Sequence, residues 1–163
     1  MNLGTKRIVL VVTAVVLFVA AVATSVVVGY RFWSDREAEQ ARAASATAAQ
    51  RTLESIFTYD YRTVDNELPK AADNLTQNFR HDYLILIKND IAPGAKEKEL
   101  TVRATAEAVG VISTERSHAV VLAYLNQVLT SKDSPQGSVL NTRVRVNLDK
   151  DDGHWLVQRI DPI

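Results

Sequence analysis

The sequence predicts an α+β domain held at a membrane by one N-terminal helix, and three observations carry that prediction. Residues 8–30 form an uncharged apolar run, a helical period follows as far as Lys98, and beyond Lys98 the period changes to alternation. Helices therefore come first and an antiparallel meander last, with the sheet burying one face by wrapping over the helices.

The apolar run is IVLVVTAVVLFVAAVATSVVVGY, 23 residues from Ile8 to Tyr30. As an α-helix it reaches about 34 Å, slightly more than the roughly 30 Å hydrocarbon core of a bilayer. It is apolar on every face, so it requires an apolar solvent all round rather than a core on one side. The rival reading is a cleaved signal peptide, with Lys6 and Arg7 as the basic region and Ala21-Val22-Ala23 as the cleavage site. The run continues past that site through Val26, Val27 and Val28, which favours an uncleaved anchor. Tyr30, Phe32 and Trp33 suit the headgroup level at the end of a span. Ala14, Ala21, Ser25 and Gly29 supply small side chains that allow another helix to approach in lipid. Lys6 and Arg7 precede the span while Arg31, Arg36 and Arg42 follow it, so charge alone leaves the topology open.

From Ser34 to Phe57 the chain is rich in Ala, Glu, Gln and Arg and free of Gly and Pro, which predicts a helix. Ser34 and Glu37 have capping-box spacing, so the helix restarts there or continues straight from the span. Its first part is charged and small, as in an exposed stalk; Ala49, Leu53, Ile56 and Phe57 form a stripe that docks on a core. A short helix is expected between Asp65 and Ala72, with Pro69 near a helix start or break. A third helix carries Leu75, Phe79, Tyr83, Leu86 and Ile87, capped by Asn74 with Gln77 and stopped by Pro93-Gly94.

In the alternating part, Val102, Ala104, Ala106 and Ala108 share one strand face, opposite Arg103, Thr105 and Glu107. Ala119 to Leu129 is apolar on both faces, as in a central strand, although its period alone also permits a helix. Thr142 to Leu148 points Val144, Val146 and Leu148 inward and Arg143, Arg145 and Asn147 outward. Asp152-Gly153 is a type I′ hairpin signal leading into a last strand with Trp155, Val157 and Ile160.

Composition excludes several classes of chemistry. The first 34 residues hold three basic side chains and no acidic one, leaving 16 basic against 19 acidic in the remainder, a balance unsuited to binding nucleic acid. With no cysteine there is no disulfide, zinc-thiolate site or thiol nucleophile. His81, His118 and His154 lack the spacing of metal ligands, and no glycine-rich phosphate loop is present, so neither metal nor cofactor is expected. Asn74-Leu75-Thr76 matches a glycosylation sequon, which has meaning only in a eukaryotic secreted protein.

The candidate cone and interaction residues are Tyr59, Asp60, Tyr61, Asp65, Arg143, Arg145 and Trp155. Tyr59, Tyr61 and a carboxylate could line a cavity and move a proton beside a carbonyl. The simpler arrangement, which we favour, packs both tyrosines under the sheet while Asp60, Asp65 and Arg62 cap a helix or pair at the surface. Trp155 is expected to close the core rather than bind a ligand. Arg143 and Arg145 form either a stripe for acidic partners or the solvated side of a strand.

An ordered set of short motifs resembles the Mce-associated membrane proteins of actinobacteria. It comprises the single anchor, the alanine-rich helix, Tyr59-Asp60-Tyr61-Arg62 with Asp65, and Leu75-Thr76 with Phe79 and Tyr83. It continues with Ile91-Ala92-Pro93, Gly110-Val111, Ala119-Val120-Val121-Leu122 with Asn126, and Arg143-Val144-Arg145-Val146. It closes with Asp152-Gly153-His154-Trp155-Leu156-Val157 and Asp161-Pro162-Ile163.

The resemblance implies an NTF2-like (cystatin-like) cone of helices on a curved antiparallel sheet, on the outer, periplasmic side of the plasma membrane. The expected organisation is a cytoplasmic tail at 1–7, a transmembrane helix at 8–30, a helical stalk at 31–52 and the exported domain at 53–163. It further implies a non-enzymatic accessory subunit of a lipid importer for fatty acids or sterols, in contact with the bilayer, the permease and Mce subunits. In that picture the anchor residues Ala14, Ala21, Ser25, Gly29, Tyr30 and Trp33 meet the permease. The alternative is a membrane-anchored lipid-binding module or an isomerase-like enzyme using the cone, which would need an open apolar pocket with Asp60 or Asp65 turned inward.

Overall fold

The computed structural model describes residues 37–163. The span 8–30 with Ala14, Ala21, Ser25, Gly29 and Tyr30, and also Trp33 and the cap residue Ser34, lie outside the described residues. Among the described residues no helix is long and apolar enough to cross a membrane. Gln40 to Ile163 form one compact unit.

Helix α1 covers 37–57. Ala49, Leu53 and Ile56 are buried in the core and Phe57 packs against it. The buried face also takes in Ser45 and Thr52, which the apolar stripe does not mark. Ser45 is accommodated because its hydroxyl donates to the carbonyl of Arg42 at 3.0 Å.

A two-residue strand β1 (Tyr59–Asp60) leads into α2 (Val64–Ala71), a 3₁₀ turn at Ala72–Asn74, α3 (Gln77–Leu86), a π turn at Ile87–Ile91 and α4 (Ala92–Lys98). Pro69 falls inside α2 rather than at its start, and the helix gives way to the 3₁₀ turn within three residues. Two expectations for α3 are corrected. The residue at its N-cap position is Thr76, which makes no side-chain cap bond; Asn74 belongs to the 3₁₀ turn, and the Thr76 N–H bonds to the Val157 carbonyl at 2.9 Å. Nor does Pro93-Gly94 end the helical run. The π turn carries the Ala92 N–H back to the Ile87 carbonyl, five residues away, and Pro93 then opens α4 where its missing N–H is tolerated. The chain leaves α4 through Glu99 in the left-handed region, φ 50°.

Four long strands follow: β2 (Thr101–Thr114), β3 (His118–Ser131), β4 (Ser134–Asp151) and β5 (His154–Pro162). With β1 they form a fully antiparallel sheet of order β1-β2-β3-β4-β5, so β3 is central, as its two apolar faces predict. Inward residues Val121, Ala123 and Leu125 of β3 and Val144, Val146 and Leu148 of β4 meet the helices in one core. Asp152 (φ 44°) and Gly153 (φ 84°) are both left-handed, as a type I′ hairpin requires.

One face assignment is corrected. The register shifts between Ala106 and Ala108, so Ala108 is exposed while Val109 and Val111 continue the inner face. A similar shift opposite Asn147 and Leu148 explains why Trp155, Val157 and Ile160 pack together despite their uneven spacing.

The sheet edges are closed by the helical layer. Past β1, the free edge of β2 is met by side chains of α1 and the residue after it. Thr58 Oγ1 accepts from the Ala104 N–H at 3.0 Å, Glu54 Oε1 accepts from the Ala106 N–H at 3.0 Å, and Arg42 donates to the Val111 carbonyl at 3.2 Å. On the other side Leu75 bridges to Val157 of β5. Covered edges deny a further strand the ladder it would extend.

Candidate functional site

The polar cluster at the start of α2 is tied to its own backbone. Asp60 Oδ1 accepts from the Arg62 N–H at 2.9 Å, and Oδ2 accepts from the Thr101 hydroxyl at 3.3 Å. Tyr61 is half-exposed, with its hydroxyl accepting from Arg62 Nε at 3.1 Å and the guanidinium 5.0 Å from the ring centre. Asp65 is exposed and pairs with Lys96 of α4. Tyr59 packs against the core, and burial pushes its phenol above the ordinary range. The two carboxylates thus hold a turn and a helix pair, and Asp65 also lines an open groove at the protein surface.

Inside the cone the one deep phenol belongs to Tyr83, whose hydroxyl donates to the Ile56 carbonyl at 2.6 Å. Burial, and secondarily the neighbouring Tyr59, push its pKa well up. Leu53, Leu68, Val121, Leu125 and Val146 belong with it to one buried cluster.

Among the described residues, open grooves border this core in at least two places. One, of about 700 Å³, runs beside α1 and is lined by Ala43, Ala44, Thr47, Arg51, His154 and Trp155. Trp155 itself belongs to the core, 7% exposed, with Lys150 Nζ 5.8 Å from its ring centre and its Nε1 without an acceptor among the described residues. The other, of about 510 Å³, lies over the π turn between Leu84, Ile87, Ala92 and Pro93, with Asp65, Lys88 and Lys96 also lining it. Among the described residues no group of three or more His, Asp or Glu could hold a metal; His118 is hydrogen-bonded to Asp149 at 2.8 Å.

Arg143 and Arg145 are exposed on the outer sheet face, and the register shows their neighbours. Arg143 stands beside Tyr124, which faces Ala108; Arg145 stands beside Leu122, which faces Gly110. Leu122 is 41% exposed and Tyr124 39%, an apolar pair on the central strand, and Val128 at 42% lies beyond Asn126 on the same face. Leu122, Tyr124 and Gly110 are not marked as site residues by sequence; the only signal is that Ala119 to Leu129 is apolar on both faces.

Comparison with known proteins gives relatives and a fold. Over 135 residues the chain is 36% identical to the outer membrane protein Rv1973 of Mycobacterium tuberculosis strain H37Rv, covering 80% of this chain and 83% of the relative. The periplasmic domain of DotI superposes with a TM-score of 0.63 at 16% identity, over 74% of this chain and 94% of that one. An NTF2-like superfamily protein from Salmonella enterica serovar Typhimurium gives 0.51 at 9% identity, over 74% and 91%. The architecture is therefore α+β with NTF2-like neighbours, helices packed on a curled five-stranded antiparallel sheet. Residues 6–162 match the family described as uncharacterized protein Rv1363c/MT1408-like, and the chain belongs to that family.

Proposed function

We propose that this chain is a non-enzymatic accessory subunit of an Mce-type lipid importer, one that carries fatty acids or sterols. It is anchored by residues 8–30 and presents its NTF2-like domain on the outer side of the plasma membrane. The observation that carries the reading is the buried apolar core between helices and sheet. Tyr83 belongs to it with its hydroxyl bonded to Ile56, Asp60 holds a turn, and Asp65 pairs with Lys96 at the rim of an open surface groove rather than inside the core. The motif resemblance supplies the transporter, and the periplasmic placement of the DotI domain supports the same side of a membrane here. The relative Rv1973 is named an outer membrane protein. A single apolar α-helix suits the plasma membrane better, since outer-membrane spans are closed β-barrels and this sheet is wrapped on helices.

The test is affinity purification of the full-length chain from its own membranes in mild detergent, with mass spectrometry and a control whose residues 8–30 are replaced by an unrelated span. Permease and Mce subunits are expected with the native chain and lost with the control. Recovery of no transporter component overturns the reading.

A further inference from the structure

The outer face of an antiparallel sheet that meets only water carries polar side chains at alternate positions. Strand β3 departs from this rule at its centre, where Leu122 and Tyr124 are about two-fifths exposed. Their neighbours on β2 are Gly110 and Ala108, too small to cover them, and a Cβ placed on Gly110 would meet nothing within 4 Å. The result is a shallow trough with an apolar wall. Across β3 the trough is bordered by Arg143 and Arg145, for which the described residues contain no salt-bridge partner within 4.0 Å.

We propose that this trough, formed by Ala108, Gly110, Leu122, Tyr124, Arg143 and Arg145, docks an acidic amphipathic segment of an exported partner protein. The inference rests on the accessory-subunit reading and assigns the surface that the reading leaves open. Charge selects the occupant. Asp161, the carboxylate registered opposite Arg145, is taken up by Arg159; covering the two guanidinium groups therefore costs desolvation unless the incoming surface brings carboxylates, and those carboxylates fix the register. A second copy of this chain is disfavoured, because a two-fold contact centred on the trough sets the arginines of both copies against each other. A lipid surface is disfavoured as well: the apolar residues lie mid-sheet beside two arginines, on a face formed by strands rather than by an amphipathic helix that would enter the headgroup layer.

The experiment places a benzoylphenylalanine photo-crosslinker at Gly110 in the full-length chain in its native membranes. A side chain fits there without displacing an atom, and Ile112 serves as a second probe position. After irradiation the adducts are sequenced. One exported protein segment bearing carboxylates and apolar residues is expected, and Arg143→Glu with Arg145→Glu should cut its yield by at least about tenfold while melting stays unchanged. Adducts on a second copy, adducts on phospholipid, a yield no higher than from a probe at exposed Asn78, or a yield unmoved by the charge reversal would each overturn the proposal. Transporter subunits that still co-purify when the Gly110 adduct is absent sink the surface and leave the accessory reading. An acidic adduct without co-purifying transporter does the reverse.

Discussion

Tyr83 places a phenol among apolar side chains and satisfies it with one acceptor, the Ile56 carbonyl 27 residues earlier. Because burial raises its pKa, the folded chain holds the phenol proton more tightly than the unfolded chain. The linked stability is fully present below about pH 10, the ordinary phenol value, and is lost as pH rises through the higher folded value. Denaturant midpoints should therefore be flat from neutral pH to about 9.5 and fall steeply above it. Tyr83→Phe should remove most of that fall, at a cost of about 1–2 kcal/mol near neutrality for the orphaned carbonyl. Tyr59, raised by burial as well, leaves a smaller residual slope. An alkaline limb unchanged in Tyr83→Phe would show that another group governs it. Helical spacing places the Tyr83 ring on the core side, but its acceptor depends on how α3 crosses α1, which no local pattern encodes.

At the level of elements, α1 both supplies core and closes the free edge of β2. Glu54 is the clearest case, since its carboxylate accepts from the Ala106 N–H at 3.0 Å. Glu54→Ala should destabilise the domain by about 2 kcal/mol in urea unfolding and speed amide exchange at Ala106, whereas Glu54→Gln, which keeps an acceptor, should recover most of the loss. Wild-type exchange at Ala106 in the alanine variant would sink the capping role. Read along the chain, Arg42, Glu54 and Thr58 are ordinary polar residues of a helix and its exit; their partners lie 46–69 residues onward and appear only once β2 is in place. The strands show the same division. Clean alternation marks the inward Val144, Val146 and Leu148, while Ala108 is misplaced because a bulge adds a residue without altering composition. Pro93 reads as a stop because the π turn that admits it has no local signature. Of the candidate site, the outward alternation of Arg143 and Arg145 is legible. The Leu122–Tyr124 wall is not, since a strand apolar on both faces reads as buried on both.

For the molecule as a whole, the core cannot be completed without the part of α1 that its sequence marks as stalk. Ser45, Ala49 and Thr52 are all buried, with Ser45 and Ala49 fully so, and they precede Leu53, where the sequence places the start of the domain. The compact unit accordingly starts at Gln40. A chain cut to 53–163 would expose the surfaces those residues cover and would lose the Arg42 bond to β2. A chain of 40–163 would keep both. Small domains have only about 5–15 kcal/mol in hand, so removing one flank of the core is expected to cost at least about 3 kcal/mol. Fragment 40–163 should therefore unfold in one cooperative transition, and 53–163 should show a much lower midpoint or none. Equal midpoints for the two fragments would mean that the helix before Leu53 is only a tether. A large difference would mean that the part of α1 before Leu53 is a wall of the domain.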